Sequence, residues 1–233
     1  MNAIVTGATR GMGRAIARHL AASNYNLALC ARNAADLESL RNELLAEFPD
    51  IRVLVQVADC GNARQVHEFA QFVEANFEFT DVLVNNAGLF ISSALLDEQE
   101  DALQLQMQTN VFTPHFLSKF FGKKMRQHGK GHIFNICSVA SLQPALNAGS
   151  YSISKTALLG LTKVLREELM AYNVKVTAVL PGSTLTGSWA GTTIPESRFV
   201  RADDIASAVI NCLKMSVGAN VDEIVIRPVQ GQV

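Results

Sequence analysis

The feature that most constrains the fold is an alternation of short apolar runs with longer helical patterns. Seven runs, rich in β-branched and other apolar residues, have the length and composition of buried strands. They are Ala3–Thr6, Asn26–Cys30, Arg52–Val57, Asp81–Asn85, Gly131–Cys137, Val174–Leu180 and Asp222–Ile226. Between the second and third runs, Leu37, Leu40 and Leu44 recur at helical spacing. Strands that alternate with helices predict an α/β fold built on a seven-stranded parallel sheet.

A parallel sheet of this kind also predicts where a ligand binds. Each helical crossover is right-handed, so helices cover both faces of the sheet in a doubly wound Rossmann fold. The carboxyl ends of the strands then form the ligand crevice. The length of 233 residues fits one such domain, and residues 1–233 are predicted to form a single domain.

Composition argues against several classes of function. A net charge of −1 offers no basic surface for nucleic acid, and no apolar run reaches the roughly 18 residues of a membrane-spanning helix. The four cysteines are scattered, with no Cys-x-x-Cys pair and no histidine cluster at metal-ligand spacing. The sequence therefore predicts a cytoplasmic protein with reduced cysteines, no metal site, and neither nucleic acid nor membrane as a partner.

A glycine-rich loop follows the first predicted strand and leads into the helical run Arg14–Ala22. Glycines let the backbone turn tightly and approach a pyrophosphate, whose charge would lie at the helix N-terminus. The spacing is Gly-x-x-x-Gly-x-Gly, and an ordinary strand-to-helix turn is the alternative. Its place at the first βα junction favours a dinucleotide site. The predicted cofactor residues of this loop are Thr6, Gly7, Thr9, Arg10, Gly11, Met12 and Gly13.

The end of the second predicted strand bears on the choice between NAD and NADP. A site that prefers NAD usually carries an acidic residue there, whereas this chain has Ala31, Arg32 and Asn33. Arg32 and Arg10 together suit a 2′-phosphate, although both side chains are alternatively plain solvated surface groups. We therefore predict NADP(H) as the cofactor. Asp59, after the third strand, is expected either to accept a hydrogen bond from the adenine amino group or to cap the next helix.

Tyr151 and Lys155 open the leucine-patterned helix Tyr151–Met170, and their spacing places the phenol and the ammonium on one face. A nearby cation lowers the pKa of a phenol from its usual value of about 10, which suits proton transfer to a developing alkoxide. Such a pair also arises by chance, so the prediction needs companions. Ser138, after the fifth strand, is either a holder of the substrate oxygen or an ordinary turn residue.

Asn110 is a further candidate, because the interior of the predicted helix Leu103–Met125 disfavours asparagine. Its amide is therefore expected to have a specific partner, such as a water that leads to Lys155. Two loops complete the set: Asn86, Ala87 and Gly88 follow the fourth strand, and Pro181 and Gly182 follow the sixth.

Together these motifs resemble the short-chain dehydrogenase/reductase family over almost the whole chain. The resemblance implies that Tyr151 is the general acid/base and that Lys155 binds the nicotinamide ribose and lowers the phenol pKa. It implies that Ser138 orients the substrate oxygen and that Asn110 anchors a proton-relay water. The other implied cofactor contacts are Asn86, Ala87 and Gly88 on the adenosine side, with Pro181, Gly182, Thr184 and Thr186 near the nicotinamide.

Within the family, the chain is most similar to 3-oxoacyl-carrier-protein reductases and sepiapterin-type carbonyl reductases. Arg126 and Lys130 are candidate contacts for an acidic carrier, although Tyr172 stands where a second arginine is expected. The segment that forms the substrate lid in the family is short here and holds the only tryptophan, Trp189, which is expected either across the pocket mouth or in a local cluster. The residues expected to bound an apolar pocket are Leu89, Leu142, Gln143 and Leu146.

Three functions remain open at this stage. The first is an NADPH-dependent oxidoreductase that transfers hydride between the nicotinamide and a carbonyl or secondary alcohol, such as a 3-oxoacyl group or another small ketone. The second is a non-catalytic NADP-binding sensor or scaffold, and the third is epimerisation or dehydration on the same scaffold. We predict the first, with a small-molecule carbonyl substrate. We also expect a homodimer or homotetramer, because the two long predicted helices form such interfaces in relatives.

Overall fold

A computed structural model describes residues 1–233, and its strands alternate with helices from end to end. The strands are β1 (Asn2–Thr6), β2 (Asn26–Ala31), β3 (Val53–Val57), β4 (Val82–Asn85), β5 (His132–Ile136), β6 (Lys175–Pro181), β7 (Thr184–Leu185), β8 (Val200–Arg201) and β9 (Glu223–Ile226). Seven of them form one sheet in the order β3-β2-β1-β4-β5-β6-β9, with every neighbouring pair parallel. Strands β7 and β8 form a separate parallel pair. The predicted seven-stranded parallel sheet is confirmed.

The chain forms seven α-helices, six of which cover the two faces of the sheet. They are α1 (Gly11–Ala22), α2 (Ala34–Glu47), α3 (Ala63–Asn76), α4 (Ala102–Met107), α5 (Thr113–His128), α6 (Gly149–Leu169) and α7 (Ala202–Leu213). One apolar cluster joins the sheet to α1, α2 and α7, and a second joins it to α3, α5 and α6. The predicted doubly wound architecture is therefore confirmed. None of the helices combines the length and apolar character needed to cross a bilayer.

Strand β1 illustrates how the sequence produces two cores. Ala3 and Val5 belong to one apolar cluster and Ile4 to the other, because successive side chains of a strand point to opposite faces. All three are fully buried. Burying a Val or Ile side chain contributes about 1.5–3 kcal/mol, so a continuous apolar run is stable only between two helical layers.

The predicted continuous helix Leu103–Met125 is wrong in its middle. Helix α4 ends at Met107, a π-helical turn spans Gln108–Phe112, and α5 begins at Thr113. The Thr113 N–H bonds to the carbonyl of Gln108, five residues back. Pro114 lacks the N–H that an α-helix would direct to the Asn110 carbonyl, which favours the wider turn. Turns of this kind occur frequently at functional sites.

The strand order fixes where a ligand crevice lies. Strand β1 is paired with β2 on one side and β4 on the other. The chain therefore adds β2 and β3 on one side of β1 and then continues with β4 on the other side. Connections from β1 and β4 leave the sheet toward opposite faces, which opens a crevice beyond their carboxyl ends.

Candidate active site

A cleft of about 940 Å³ lies at this crevice, beyond the carboxyl ends of β1 to β5. Most of the predicted cofactor residues line it: Gly7, Thr9, Arg10, Gly11, Met12, Gly13, Arg32, Asp59, Asn86, Ala87, Gly88, Tyr151, Lys155 and Thr186. The structure therefore brings the glycine loop and the Tyr151–Lys155 pair to the two ends of one continuous cleft. Four predicted cofactor residues do not line it: Thr6, Pro181, Gly182 and Thr184.

The glycine loop has a backbone that only glycine adopts readily. Gly7 and Gly11 have φ angles of +64° and +52°, in the left-handed region. At Gly13, an added Cβ would lie 2.3 Å from the Gly7 carbonyl oxygen, so the loop closes on itself too tightly for any side chain. Helix α1 begins at Gly11 with no side-chain cap and no acidic residue in its first turn. Its free N–H groups and the open loop fit a pyrophosphate.

Thr6 and Asn86 tie the glycine loop to the loop after β4. The Thr6 hydroxyl accepts from the backbone N–H groups of Asn86 and Ala87, both at 3.0 Å. The Asn86 amide in turn donates to the carbonyls of Thr6 (2.9 Å) and Gly7 (3.1 Å). Thr6 is buried, so its role is to hold two walls of the cleft together.

The end of the cleft beside β2 carries a carboxylate that sequence reasoning missed. Arg10 and Arg32 line this end, as predicted, but Asp36 lies with them and its carboxylate is 2.8 Å from the Arg10 guanidinium. Asp36 is in the first turn of α2, where its backbone N–H donates to the Asn33 side chain. The lack of an acidic residue among Ala31, Arg32 and Asn33 therefore does not leave this end of the cleft free of carboxylates.

Asp59 faces the cleft and does not cap the next helix. Its carboxylate accepts from the Gly61 N–H at 2.8 Å, and Asn62 caps α3 instead by accepting from Gln65. Of the two alternatives for Asp59, the capping role is excluded by these contacts. The side chain is available on the wall of the cleft.

Burial controls the acid-base state of Tyr151. Desolvation raises the pKa of its phenol above the usual value, and this outweighs a hydrogen bond from Ser138 that acts in the opposite direction. Lys155 is not the dominant influence: its Nζ lies 5.8 Å from the centre of the phenol ring. The expected lowering of the Tyr151 pKa by Lys155 is therefore not what this geometry produces. At neutral pH the phenol is protonated and able to donate.

Lys155 is only 4% exposed, and its Nζ donates to the Ile136 carbonyl at 2.8 Å. Burial lowers the pKa of this ammonium to about 8. Cys137, on the same wall, has a pKa raised by burial to about 11, so it stays a neutral thiol. Lys155 is therefore the group beside Tyr151 that titrates closest to neutral pH.

Ser138 stands at the start of a short turn that connects β5 to the helix carrying Tyr151. Its hydroxyl accepts from the Ala140 N–H at 3.1 Å, and Ser141 completes a reciprocal cap with it. The Ser141 hydroxyl also donates to the Lys155 carbonyl at 2.8 Å. These contacts fix Ser138 against α6, which explains how residues far apart in sequence hold one geometry.

Asn110 is fully buried in the π-helical turn, and its side chain has specific partners, as expected of an asparagine inside a helix. Its oxygen accepts from the Leu89 N–H at 2.7 Å, and its amide donates to the Leu89 carbonyl and the Ser154 hydroxyl, both at 2.9 Å. These contacts use the side chain to position the loop after β4. A water that leads from Asn110 to Lys155 stays a prediction.

The predicted nicotinamide residues after β6 pack against the end of the chain. A Cβ on Gly182 would lie 2.5 Å from the Gln232 amide, and Gln232 accepts from the Ser183 N–H at 2.7 Å. The buried Thr184 hydroxyl donates to the Gly182 carbonyl at 2.9 Å. Thr186 alone of this group reaches the cleft, where its methyl group abuts Gly11.

The short lid contributes Gly187 and Ser188 to the cleft, but Trp189 packs elsewhere. Its ring contacts Phe199 edge-to-face, with centroids 4.9 Å apart. Of the two alternatives for Trp189, the structure therefore has the local cluster.

Phe90 is a site residue that sequence reasoning missed. Its ring lies edge-to-face against the Tyr151 ring, with centroids 4.8 Å apart, and it is 51% exposed. Leu89 lines the cleft beside it, as expected, whereas Leu142, Gln143 and Leu146 are exposed on the turn after β5. Phe90 could have been identified from the sequence, because it is an aromatic residue that follows a glycine-containing loop at the end of a strand.

Glu98 is another missed contact, and it holds the N-terminus of α6. Its carboxylate accepts from both the backbone N–H and the hydroxyl of Ser150. A carboxylate there also complements the helix dipole. No local pattern in the sequence identifies a partner that lies 52 residues away.

Arg126 and Lys130, the predicted contacts for an acidic carrier, lie outside the cleft. Lys130 precedes β5 at the amino edge of the sheet, opposite the cleft, and lies 4.6 Å from the centre of the Phe79 ring. Arg126 packs over Tyr172, 5.6 Å from the ring centre. Lys130 also lies 3.7 Å from the Asp81 carboxylate, and neither cation lines the cleft.

Comparisons with known proteins agree with this geometry. A family model described as short chain dehydrogenase matches residues 1–196. An uncharacterized oxidoreductase of Staphylococcus epidermidis is 31% identical over 228 residues, which are 97% of this chain and 96% of that protein. An alcohol dehydrogenase of the archaeon Thermococcus sibiricus, complexed with 5-hydroxy-NADP, superposes with a TM-score of 0.90 at 30% identity, covering 100% of this chain and 98% of its own. A metagenomic short-chain oxidoreductase in complex with NADP gives 0.85 at 30% identity, with 98% and 96% covered.

Proposed function

The chain belongs to the short-chain dehydrogenase family, and from that membership we propose that it is an NADP(H)-dependent oxidoreductase acting on a carbonyl or secondary alcohol. One observation carries the proposal. A single cleft joins the glycine loop and two arginines at one end to Tyr151 and Lys155 at the other. A sensor or scaffold has no need of a tyrosine and a buried lysine paired at the end of its nucleotide cleft.

The residues of the cleft fit NADP(H). The glycine loop leaves room for a pyrophosphate at the start of α1, and Arg10 and Arg32 lie where a 2′-phosphate would bind. Two solved relatives at 30% identity carry NADP or 5-hydroxy-NADP, which supports the same cofactor here. When bound, NADPH supplies the hydride.

The protein's own residues then supply the proton and the orientation. Tyr151 donates its phenolic proton to the carbonyl oxygen as that oxygen gains charge, because its raised pKa keeps the proton in place at neutral pH. The Ser138 hydroxyl faces the phenol and favours its ionised form, and the Lys155 ammonium, 5.8 Å from the centre of the phenol ring, would hold the nicotinamide ribose. Asn110 positions Leu89 and hence the cleft wall beside the reacting atoms.

The substrate that fits best is a small ketone with an apolar or aromatic substituent. Phe90 and Leu89 line the cleft and present apolar surface, and the Phe90 ring contacts the Tyr151 ring. A 3-oxoacyl thioester belongs to this class of ketones when it is a small molecule, without a carrier protein attached. The positions of Arg126 and Lys130 give no support for a carrier protein.

The first test is loss of NADPH absorbance with a panel of ketones, diketones, 3-oxoacyl thioesters and pterins. We expect turnover with NADPH that falls at least about a thousandfold in Tyr151→Phe, because the proton donor is lost. Tyr172→Phe, which removes the hydroxyl of an exposed tyrosine outside the cleft, should keep the wild-type rate. Binding of NADPH without turnover of any compound in the panel would favour the sensor alternative.

We also propose that residues 1–233 form a single domain and that the protein is a cytoplasmic homodimer or homotetramer. The match to relatives over 97% of this chain and 96% of theirs supports a single domain. Four free, buried thiols suit a reducing compartment. Exposed apolar side chains on the π-helical turn and α6, namely Phe112, Ile153 and Val164, support an interface between copies.

A further inference from the structure

An ion pair stands at the end of the cleft where the 2′-phosphate of NADP(H) would bind. Arg10 and Asp36 are 2.8 Å apart, and both line the cleft. The Asp36 side chain is 33% exposed and the Arg10 side chain 77% exposed. The carboxylate is therefore held against the protein, while its cationic partner extends into solvent.

Asp36 is the only carboxylate that pairs with Arg10, which immediately precedes α1. The arginines within α1 pair with carboxylates farther along α2. Arg14 pairs with Glu43, and Arg18 pairs with Glu43 and Glu47. The Arg10–Asp36 pair is thus the end of a ladder between α1 and α2, and of these acids only Asp36 reaches the cleft. The ladder joins α1 to α2 without needing this last pair.

We propose that Asp36 is a cofactor-specificity residue that competes with the 2′-phosphate for Arg10 and so reduces the preference for NADP(H) over NAD(H). The inference rests on the proposed function, in which this cleft binds NADP(H). A 2′-phosphate must share or displace the carboxylate at Arg10, and like charges at close range repel. NAD(H) has a hydroxyl at that position and meets no such repulsion.

The fixed position of Asp36 strengthens this reasoning. Its backbone N–H is tied to the Asn33 side chain at 3.1 Å, so the first turn of α2 keeps the carboxylate at the cleft. Arg32 also lines this end and forms no ion pair within the chain. It can pair with a 2′-phosphate without competition. Of the two arginines at this end of the cleft, Arg32 has no ion-pair partner and Arg10 is paired with Asp36.

The test compares two probes that differ only in the 2′-phosphate, 2′,5′-ADP and 5′-AMP, whose binding is measured by calorimetry. In Asp36→Asn, the affinity for 2′,5′-ADP should rise about three- to fivefold, the size of an exposed ion-pair effect, while the affinity for 5′-AMP stays unchanged. Asp36→Ser, which removes the same charge and leaves a smaller polar side chain, should give the same change. The KM ratio of NADH to NADPH should rise by the same factor.

The matched control is Glu38→Gln, which removes an equal charge from the same helix. Glu38 is exposed, pairs only with Arg41 at 3.4 Å and does not line the cleft. It should leave the affinity for both probes unchanged. Equal gains in Glu38→Gln and Asp36→Asn would mean a general effect of net charge and would overturn the proposal.

Two further outcomes separate this inference from the proposed function. If 2′,5′-ADP binds the wild type and Asp36→Asn weakens it or leaves it unchanged, Asp36 orients Arg10 or is neutral, and only this inference fails. If neither probe binds the wild type, the nucleotide site itself is wrong, and both proposals fail.

Discussion

At the scale of single residues, burial moves the two central ionisable groups in opposite directions. The pKa of Tyr151 is raised and that of Lys155 is lowered to about 8, because in each case a low-dielectric surrounding disfavours the charged form. The two groups therefore differ in their roles at neutral pH. Tyr151 keeps its proton, and Lys155 is the group whose charge changes within the working range.

This difference predicts the alkaline limb of the pH profile. Lys155 carries its charge below pH 8, so kcat/KM for carbonyl reduction should fall as the pH rises through about 8. The measurement is kcat/KM at saturating NADPH from pH 6 to 10. Lys163→Met, which alters an exposed lysine of the same helix, should keep the same limb. A profile that stays flat up to pH 9.5 would contradict the assignment to Lys155.

At the scale of elements, the π-helical turn between α4 and α5 decides the position of the cleft wall. It turns Asn110 inward, where one side chain binds both backbone groups of Leu89 and the hydroxyl of Ser154 in α6. Three segments of the fold meet at this single amide. The turn therefore couples the loop after β4 to the helix that carries Tyr151 and Lys155.

Asn110→Ala should lower the free energy of unfolding by about 2–4 kcal/mol, because it leaves partly buried backbone groups of Leu89 and the buried Ser154 hydroxyl without this partner. Urea unfolding measures the loss, and hydrogen exchange should become faster at the Leu89 N–H. Asn76→Ala removes one exposed hydrogen bond at the end of α3 and should cost little. Unchanged exchange at Leu89 in Asn110→Ala would exclude the positioning role.

At the scale of the whole molecule, one buried histidine makes global stability depend on pH. His132 lies inside the sheet in β5, stacked on Phe134, and its Nε2 donates to the Thr177 hydroxyl at 2.8 Å. That hydroxyl itself donates to the Val221 carbonyl, so the ring must be the donor. Burial, with Lys175 nearby, lowers the pKa of His132 to about 3.

Because the pKa of His132 is lowered in the folded protein, acid should lower the free energy of unfolding. The unfolded chain binds the proton near pH 6.5 and the folded chain only near pH 3, so stability is complete above about pH 6.5 and is lost as the pH falls. Between pH 7 and pH 4, wild type should lose about 3 kcal/mol more than His132→Gln in urea unfolding.

His115→Gln, which replaces an exposed histidine on α5, should lose stability in parallel with the wild type. Parallel loss in His132→Gln as well would show that the acid sensitivity arises elsewhere.

The sequence by itself determined the alternation of strands and helices, the two-faced burial of the sheet and the glycine loop at the first βα junction. These depend on local periodicity and on the conformations that glycine allows, so the information lies within a few residues. It also identified Tyr151 and Lys155, because their spacing sets them on one helical face.

Only the tertiary structure decided the environment of those residues. Asp36 meets Arg10 across 26 positions, Asn110 meets Leu89 across 21, and Phe90 meets the Tyr151 ring from another loop. The reversal of the expected Tyr151 pKa has the same origin, since desolvation depends on every element packed around the phenol. Charge pairing and dielectric surroundings are properties of distances in space, and a linear pattern of residues does not specify them.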